Sequence, residues 1–419
     1  DRGDARHPRG EEEPVAGERD DQRASDCCKS IHTLVLPTAP SSVNRFTERS
    51  SGVRSAGVGP TRHDRPRRAT LADVAAEASV SRATASNAFN QPGRTSDELR
   101  RRVLEAAERL GYSPDPMARG LRRGRAGAVG VLVAERPTYA FSDPAGVALL
   151  DGLAEVLGSD ETGFLVLSGD GHGGGPTPGT VAGAVVDAFV TYALPDDDPC
   201  IDAMVRRGVP LISVEGPTLP IGWSVGIEDE RGSGLLTQHV LALGHRDIGI
   251  IAMECRPDGR HGLTSPGRRA HVTYGSTRRR LDGCAAELGA AGIDPATVPV
   301  YECAHNHPST GQAAARALLA ARPGLTALIC HSDQLALGAL GAAEQLGRGV
   351  PADLSIVGFD DIEAASRTRP PLTTVRQPLR DKGIIAGRLV AEALAGEMQR
   401  RVVLPVELVL RGSTAPPSR

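Results

Sequence analysis

The sequence predicts an α/β fold in which a small all-α module precedes two lobes built on parallel sheets. Three observations predict it. Residues 70 to 90 read as two short helices around a tight turn, and from Ala128 onward short apolar strands alternate with helical periods. The alternation runs for roughly 290 residues, more than one sheet comfortably covers, so two lobes with a cleft between them follow. Repeated βα units bury both faces of their sheets under helices, which requires parallel strands.

The all-α module begins at Thr70, which stands where an N-cap belongs, with Asp73 three residues on as a short version of the capping-box acid. Leu71, Val74, Ala75 and Ala78 recur at helical spacing. Ser79-Val80 makes the turn and Ser81 caps a second helix, with Ala85, Ala88 and Phe89 facing inward. Its outward face is left with Arg82, Ala83, Ser86 and Asn87, a geometry that fits a DNA major groove. Gln91-Pro92-Gly93 breaks the pattern, and Thr95 with Glu98 predicts a capping box for a third helix with Leu99, Val103, Ala106 and Leu110 as its stripe and Gly111 at its end. Asp115 and Pro116 then open a short segment, Met117 to Arg123, which carries Arg119, Leu121, Arg122 and Arg123. Gly120 weakens that segment by roughly 1 kcal/mol relative to Ala, so alone it should fray.

Beyond it the predicted strands are Ala128–Val133, Phe164–Leu167, Ala188–Tyr192, Pro210–Val214, Ile248–Ala252, Val298–Glu302, Ala327–Cys330 and Leu354–Phe359. Helices are predicted at Gly146–Leu157, Ile201–Arg207, Gly232–Leu243, Arg279–Leu288, Gly311–Ala321 and Asp333–Leu346. The domains are therefore residues 1–66, 67–114, 115–125, 126–411 and a tail at 412–419. Residues 1–66 lack the apolar content to bury a core and are expected to be a disordered, solvated extension rather than a nucleic-acid-binding tail.

The net charge of −3 is unevenly spread. Residues 67 to 125 hold 12 arginines and 7 acids, a net of +5, which leaves −8 for the rest. A polyanion partner is expected for that segment alone. Seven cysteines without framework spacing suit free thiols in a reducing compartment, hence the cytoplasm. No apolar run reaches the roughly 18 residues of a membrane helix, and the first thirty residues are too charged for a signal peptide.

From Thr70 to Thr414 the chain resembles the LacI/GalR family of bacterial transcriptional regulators. The resemblance is carried by Thr70-Leu71-x-Asp73-Val74-Ala75-x-x-Ala78, by Val80-Ser81-x-x-Thr84-x-Ser86, and by Tyr112-x-Pro114 with Ala118-Arg119-x-Leu121. In the core it is carried by Leu243-Gly244-His245-Arg246, Arg280-Leu281-Asp282-Gly283, the run from Val350 to Asp361, and Pro371-Leu372-Thr373-Thr374-Val375. It implies a helix-turn-helix headpiece, a hinge helix, and a two-lobed periplasmic-binding-protein-like core that dimerises and binds a small, sugar-like effector. The function implied is that of a repressor of a pseudo-palindromic operator in double-stranded DNA, with no enzyme activity, cofactor, metal or membrane partner. It places Arg82, Ala83 and Asn87 at base-reading positions and Leu121, beside Arg119, at the minor-groove wedge of the hinge. Arg82 can donate to guanine and Asn87 can pair with adenine, whereas Ser81, Thr84 and Ser86 suit phosphates. Several residues depart from the family pattern: Ser79 for the turn glycine, Asn87 for arginine, Glu228 for aspartate, Cys284 for an aromatic residue, Ser332 for asparagine, and a longer, more basic stretch from Glu254 to Thr277.

Arg280 and Asp360 match effector-contacting positions, and a guanidinium with a carboxylate across a cleft suits a hydroxyl-rich ligand; a structural ion pair between lobes is the alternative. Ser332 and Asp333 are further effector candidates, but they precede a helix and capping is the simpler role. Tyr139 and Phe141 follow the first strand, where a cleft or the core could take them. Three enzyme-like signals carry less. Gly222-Trp223-Ser224-Val225-Gly226 fits G-x-S-x-G, yet Pro217 and Pro220 stand where a nucleophile elbow needs a strand. Cys303, His305 and His307 lack a second ligand pair at zinc spacing, and Gly169 to Gly175 lacks the Lys-Ser/Thr of a phosphate loop.

Overall fold

The computed structural model describes residues 69–113, 125–133, 141–159, 162–168, 176–219 and 222–418. The extension 1–66, the hinge residues Arg119 and Leu121, Tyr139, and the glycine-rich stretch from Gly169 to Gly175 lie outside them.

Three helices form the headpiece: α1 (Leu71–Glu77), α2 (Arg82–Asn90) and α3 (Asp97–Arg109). The first cap is the predicted box: Thr70 N donates to Asp73 Oδ2 at 2.8 Å while Thr70 Oγ1 accepts from Asp73 N at 3.4 Å. Ser81 Oγ accepts from Thr84 N at 3.0 Å. The third cap differs from expectation. Ser96, not Thr95, accepts from Leu99 N at 3.4 Å, so Glu98 falls at the second helical position and cannot reach back to close a box. The Thr95 hydroxyl is left buried without a hydrogen-bond partner among the described residues. The headpiece core is small because alanines build it: Ala75, Ala78, Ala85, Ala88, Ala106 and Ala107 pack with Val74 and Val103. Leu110 is exposed, since α3 ends one residue before it.

The first lobe is a parallel sheet of β1 (Ala128–Val133), β2 (Gly163–Ser168), β3 (Ala188–Tyr192), β4 (Leu211–Val214), β5 (Trp223–Ile227) and β12 (Arg401–Leu404), in the order β2-β1-β3-β4-β5-β12. It carries α4 (Pro144–Ser159), α5 (Pro178–Gly183), α6 (Cys200–Arg207) and α13 (Leu379–Leu394). The second lobe orders its strands β7-β8-β6-β9-β10-β11-β13, from β6 (Ile248–Ala252), β7 (Gly262–Leu263), β8 (Val300–Glu302), β9 (Ala327–Cys330), β10 (Ser355–Asp360), β11 (Thr373–Arg376) and β13 (Glu407–Val409). Only its edge strands β7 and β13 run antiparallel. Its helices are α7 (Asp229–Ala242), α8 (Pro266–Arg269), α9 (Gly275–Ala290), α10 (Pro308–Ala321), α11 (Asp333–Gln345) and α12 (Glu363–Arg367). All eight predicted strands form. The five that were not expected, β5, β7, β11, β12 and β13, are short and lie next to prolines or at sheet edges, where periodicity is weakest.

The chain passes between lobes three times: at Glu228 from β5 to α7, at Gln377-Pro378 from β11 to α13, and at Pro405-Val406 from β12 to β13. Neither lobe is therefore a continuous stretch of sequence. Apolar clusters fill both faces of each sheet, as parallel sheets require. Helices pair at backbone contact. On α10 and α11, a Cβ added to Gly338 would clash with Pro308 O, and one added to Gly311 with Leu335 O. The segment after β13 is anchored: Ser413 Oγ accepts from Thr373 N at 2.9 Å and donates to Ile356 O at 2.6 Å. His245 joins it, 2.9 Å from Thr326 Oγ1 and from Ala415 O, which gives the Leu-Gly-His-Arg landmark a structural reason.

Candidate functional site

The carboxyl ends of β1, β3 and β4 face those of β6, β8 and β10 across a cavity of about 130 Å³. This is the crevice where parallel sheets place ligands. Arg280 lines it from α9, buried at 2% exposure. Its guanidinium is committed: Nε donates to Asp229 Oδ1 at 2.8 Å, Nη1 donates to His331 O at 2.5 Å, and the group stacks 3.8 Å over the Phe359 ring. Asp360, at the end of β10, is held at φ 127°, a conformation that costs a non-glycine residue about 1–3 kcal/mol and recurs at functional sites. Its Oδ1 accepts from Gln377 Nε2 at 2.5 Å and lies 3.9 Å from Arg280 Nη1.

The first lobe answers with Asp143 and Glu215. Asp143 Oδ2 accepts from Gly146 N at 3.0 Å. Glu215, at φ 59° after β4, pairs with the fully buried Lys382 of α13, and Lys382 Nζ also donates to Gln377 Oε1 at 2.6 Å. A chain of polar contacts thus runs from Glu215 through Lys382 and Gln377 to Asp360, through the second of the three crossings. Burial raises the Asp143 and Asp360 carboxyls above their ordinary values. Burial alone would raise Glu215 too, but Lys382 and Arg280 outweigh it and hold that carboxyl down. Glu254, at the cavity rim, is pushed up to about 7 by burial, and His331 is lowered to about 3 by burial and by Arg280 beside it.

The predicted site residues separate. Arg280 and Asp360 both line the cavity, but both belong to the second lobe, so they are not the pair across the cleft that the sequence suggested; Asp143 and Glu215 face them instead. Ser332 caps α11 by accepting from Leu335 N at 3.1 Å and donates to Asn306 Oδ1. Asp333 accepts from Thr374 Oγ1 at 2.6 Å and from Ile362 N at 2.9 Å, tying α11 to β11 and α12. Neither lines the cavity among the described residues, and Phe141 is exposed away from it. Glu215 and Lys382 were missed because one acid before Gly-Pro and one lysine early in a helix carry no periodic signal. A larger groove of about 790 Å³ along β5, β12, α7 and α9 contains neither Arg280 nor Asp360.

On the headpiece, Arg82 and Ala83 of α2 are exposed, Asn87 and Thr84 are half-buried, and Ser81 spends its hydroxyl on the cap. Ser86 departs from the outward set: it is buried, and its carbonyl accepts from Asn90 Nδ2 at 2.7 Å. The α2 face turned to solvent is therefore narrower than predicted, centred on Arg82, Ala83 and Asn87.

The enzyme-like signals dissolve. Ser224 lies within β5, paired on both sides by β4 and β12, whereas a nucleophile elbow is a turn between strand and helix. The expectation that prolines preclude a strand there is corrected, because Pro217 and Pro220 precede the strand rather than enter it. His307 caps α10, Cys303 is buried, and no group of three metal-ligating side chains occurs among the described residues. No helix among them is long and apolar enough to cross a membrane.

Residues 70–115 match the family model of bacterial regulatory proteins, lacI family, and residues 237–414 match the periplasmic binding protein-like domain. An HTH-type transcriptional regulator of Mycobacterium tuberculosis is 42% identical, over 84% of this chain and 98% of its own. The chain belongs to the LacI family. As a LacI-family protein it is a DNA-binding transcriptional regulator and not an enzyme. The LacI-family regulator IpsA of Corynebacterium glutamicum is 38% identical, over 78% of this chain and 92% of its own. Among solved structures, the complex of the regulator CelR with cellobiose is 29% identical with a TM-score of 0.59, over 83% of this chain and 100% of that one. The lac repressor dimer bound to operator and the anti-inducer ONPF is 26% identical with a TM-score of 0.68, at the same coverage.

Proposed function

We propose that the protein is a repressor that binds a pseudo-palindromic operator as a homodimer and releases or tightens its grip when a small, sugar-like effector enters the cleft between the lobes. The observation that carries this reading is the cavity itself: it lies at the facing strand ends, holds Arg280 and Asp360, and is crossed by the hinge residue Gln377. A ligand there touches both lobes and so acts on their relative angle. The relative solved with cellobiose and the one solved with operator DNA and ONPF support the two halves of the reading.

In this reading Arg82, Ala83 and Asn87 meet base edges, Ser81 and Thr84 meet phosphates, and Arg119 with Leu121 enters the minor groove as a wedge that kinks the duplex. The effector couples to that interface with about 1–3 kcal/mol, or roughly a 5- to 150-fold change in operator affinity. The test is footprinting of genomic DNA at low salt, with and without a panel of sugars. Protection of a two-fold symmetric site that changes with one sugar is the expected result; no protection under any condition would end the proposal.

A further inference from the structure

Two buried acceptor oxygens face each other across the cleft without a protein donor. Asp360 is 5% exposed and Glu215 is 8% exposed, and both line the cavity. The hydrogen bonds of Asp360 within the described residues go to Oδ1, from Gln377, and those of Glu215 go to Oε1, from Lys382. Asp360 Oδ2 and Glu215 Oε2 are left for something that enters the cavity, because buried acceptors without a donor are costly and rare. Asp143 and Glu254 add two more carboxyls to the same wall.

The cations nearby cannot balance an anion. Arg280 is held by Asp229, His331 O and Phe359, and Lys382 is fully buried between Glu215 and Gln377. Burial has already driven Asp143 and Asp360 toward their protonated forms, so the cavity holds as much negative charge as it tolerates. Its volume of about 130 Å³ is close to the ~150 Å³ of a cavity that takes one benzene ring.

We propose that the effector is a single, hydroxyl-donating ring without negative charge, a neutral polyol or its amino derivative, gripped between Asp360 of the second lobe and Glu215 of the first. Sugar phosphates, sugar acids and disaccharides are excluded. This rests on the effector reading given above.

The test uses the full chain in a thermal-shift and calorimetric panel of neutral monosaccharides, cyclic polyols and amino sugars, each beside its phosphate ester and its carboxylate, with cellobiose included. Ligands are expected only among the uncharged and amino members, with the anionic partner of any hit at least 100-fold weaker. In Glu215→Gln, where Lys382 loses its counter-charge, that discrimination is expected to fall at least tenfold. An anionic member or cellobiose binding within tenfold of the best neutral ring overturns the inference, as does a panel in which no neutral or amino member binds. The panel on the unaltered chain decides even if the variant does not fold. Retention of a genomic DNA library at low salt, measured in the same samples, separates the readings. Anion-dependent release of DNA sinks this inference and keeps the regulator, while failure to retain DNA at all sinks the regulator.

Discussion

Ser79 sits at φ 52° between α1 and α2, where a left-handed backbone costs a non-glycine residue about 1–2 kcal/mol. Ser79→Gly is expected to stabilise the headpiece by about 1 kcal/mol, read as slower amide exchange in α1 and α2; unchanged exchange would mean that the turn stores no strain. Asn87 makes its prediction in DNA binding. Asn87→Ala should cost about 1–3 kcal/mol at one operator position and little elsewhere, and a uniform loss across sequences would make it a phosphate contact. Glu254 makes one in pH. Its carboxyl rises from about 4.5 to about 7 on folding, so the folded state holds the extra proton between those values, and stability falls as pH rises through that window. Glu254→Gln should flatten that slope and add up to about 3 kcal/mol at pH 8, as chemical denaturation at several pH values would show. At this scale Arg280 and Asp360 were legible because flanking motifs gave them a register. Asp143, Glu215 and Lys382 were not, since only folding brings three such separated residues to one cavity.

The segment 254–277 is the element that most distinguishes this core. Arg268 pins it from inside, donating to Asp258 at 2.6 and 2.8 Å and to Glu302 at 2.7 and 2.9 Å. It then reaches the first lobe: Asp196 N donates to Thr273 O at 2.8 Å, and Arg278, at the start of α9, donates to Asp196 Oδ2 at 3.0 Å. These contacts hold the cleft on a different part of the chain from the three crossings. Because the Arg278–Asp196 pair is partly exposed, Arg278→Ala should change stability by less than about 1 kcal/mol. It should instead speed effector release several-fold in stopped-flow measurements, and an unaltered rate would deny the segment any part in closure. The α10–α11 contact predicts the opposite kind of effect. Gly338→Ala should cost about 1–3 kcal/mol or more in urea unfolding, because the methyl group would meet Pro308 O. The sequence marked this segment as long and basic, but nothing in its periodicity said that it would cross to Asp196.

For the whole molecule, a ligand that binds only the folded core at 100 times its dissociation constant stabilises it by about 2.7 kcal/mol, which makes thermal shift a direct readout of cleft occupancy. The two-lobed α/β architecture was legible because βα alternation is a strong, repeated signal. The way the chain divides itself between lobes was not, because β12 and β13 are short edge strands whose partners, β5 and β11, lie far back in the sequence. That late pairing has a consequence for synthesis. The outermost strand on one side of each sheet is delivered within residues 401–409, almost at the end of the chain. A ribosome that stops near Ala395 releases a protein with β5 and β11 bare, two unpaired ladders open to neighbouring chains. Such a product should aggregate rather than persist as a half-working fragment, and each lobe has to wait for nearly the whole message before it can close.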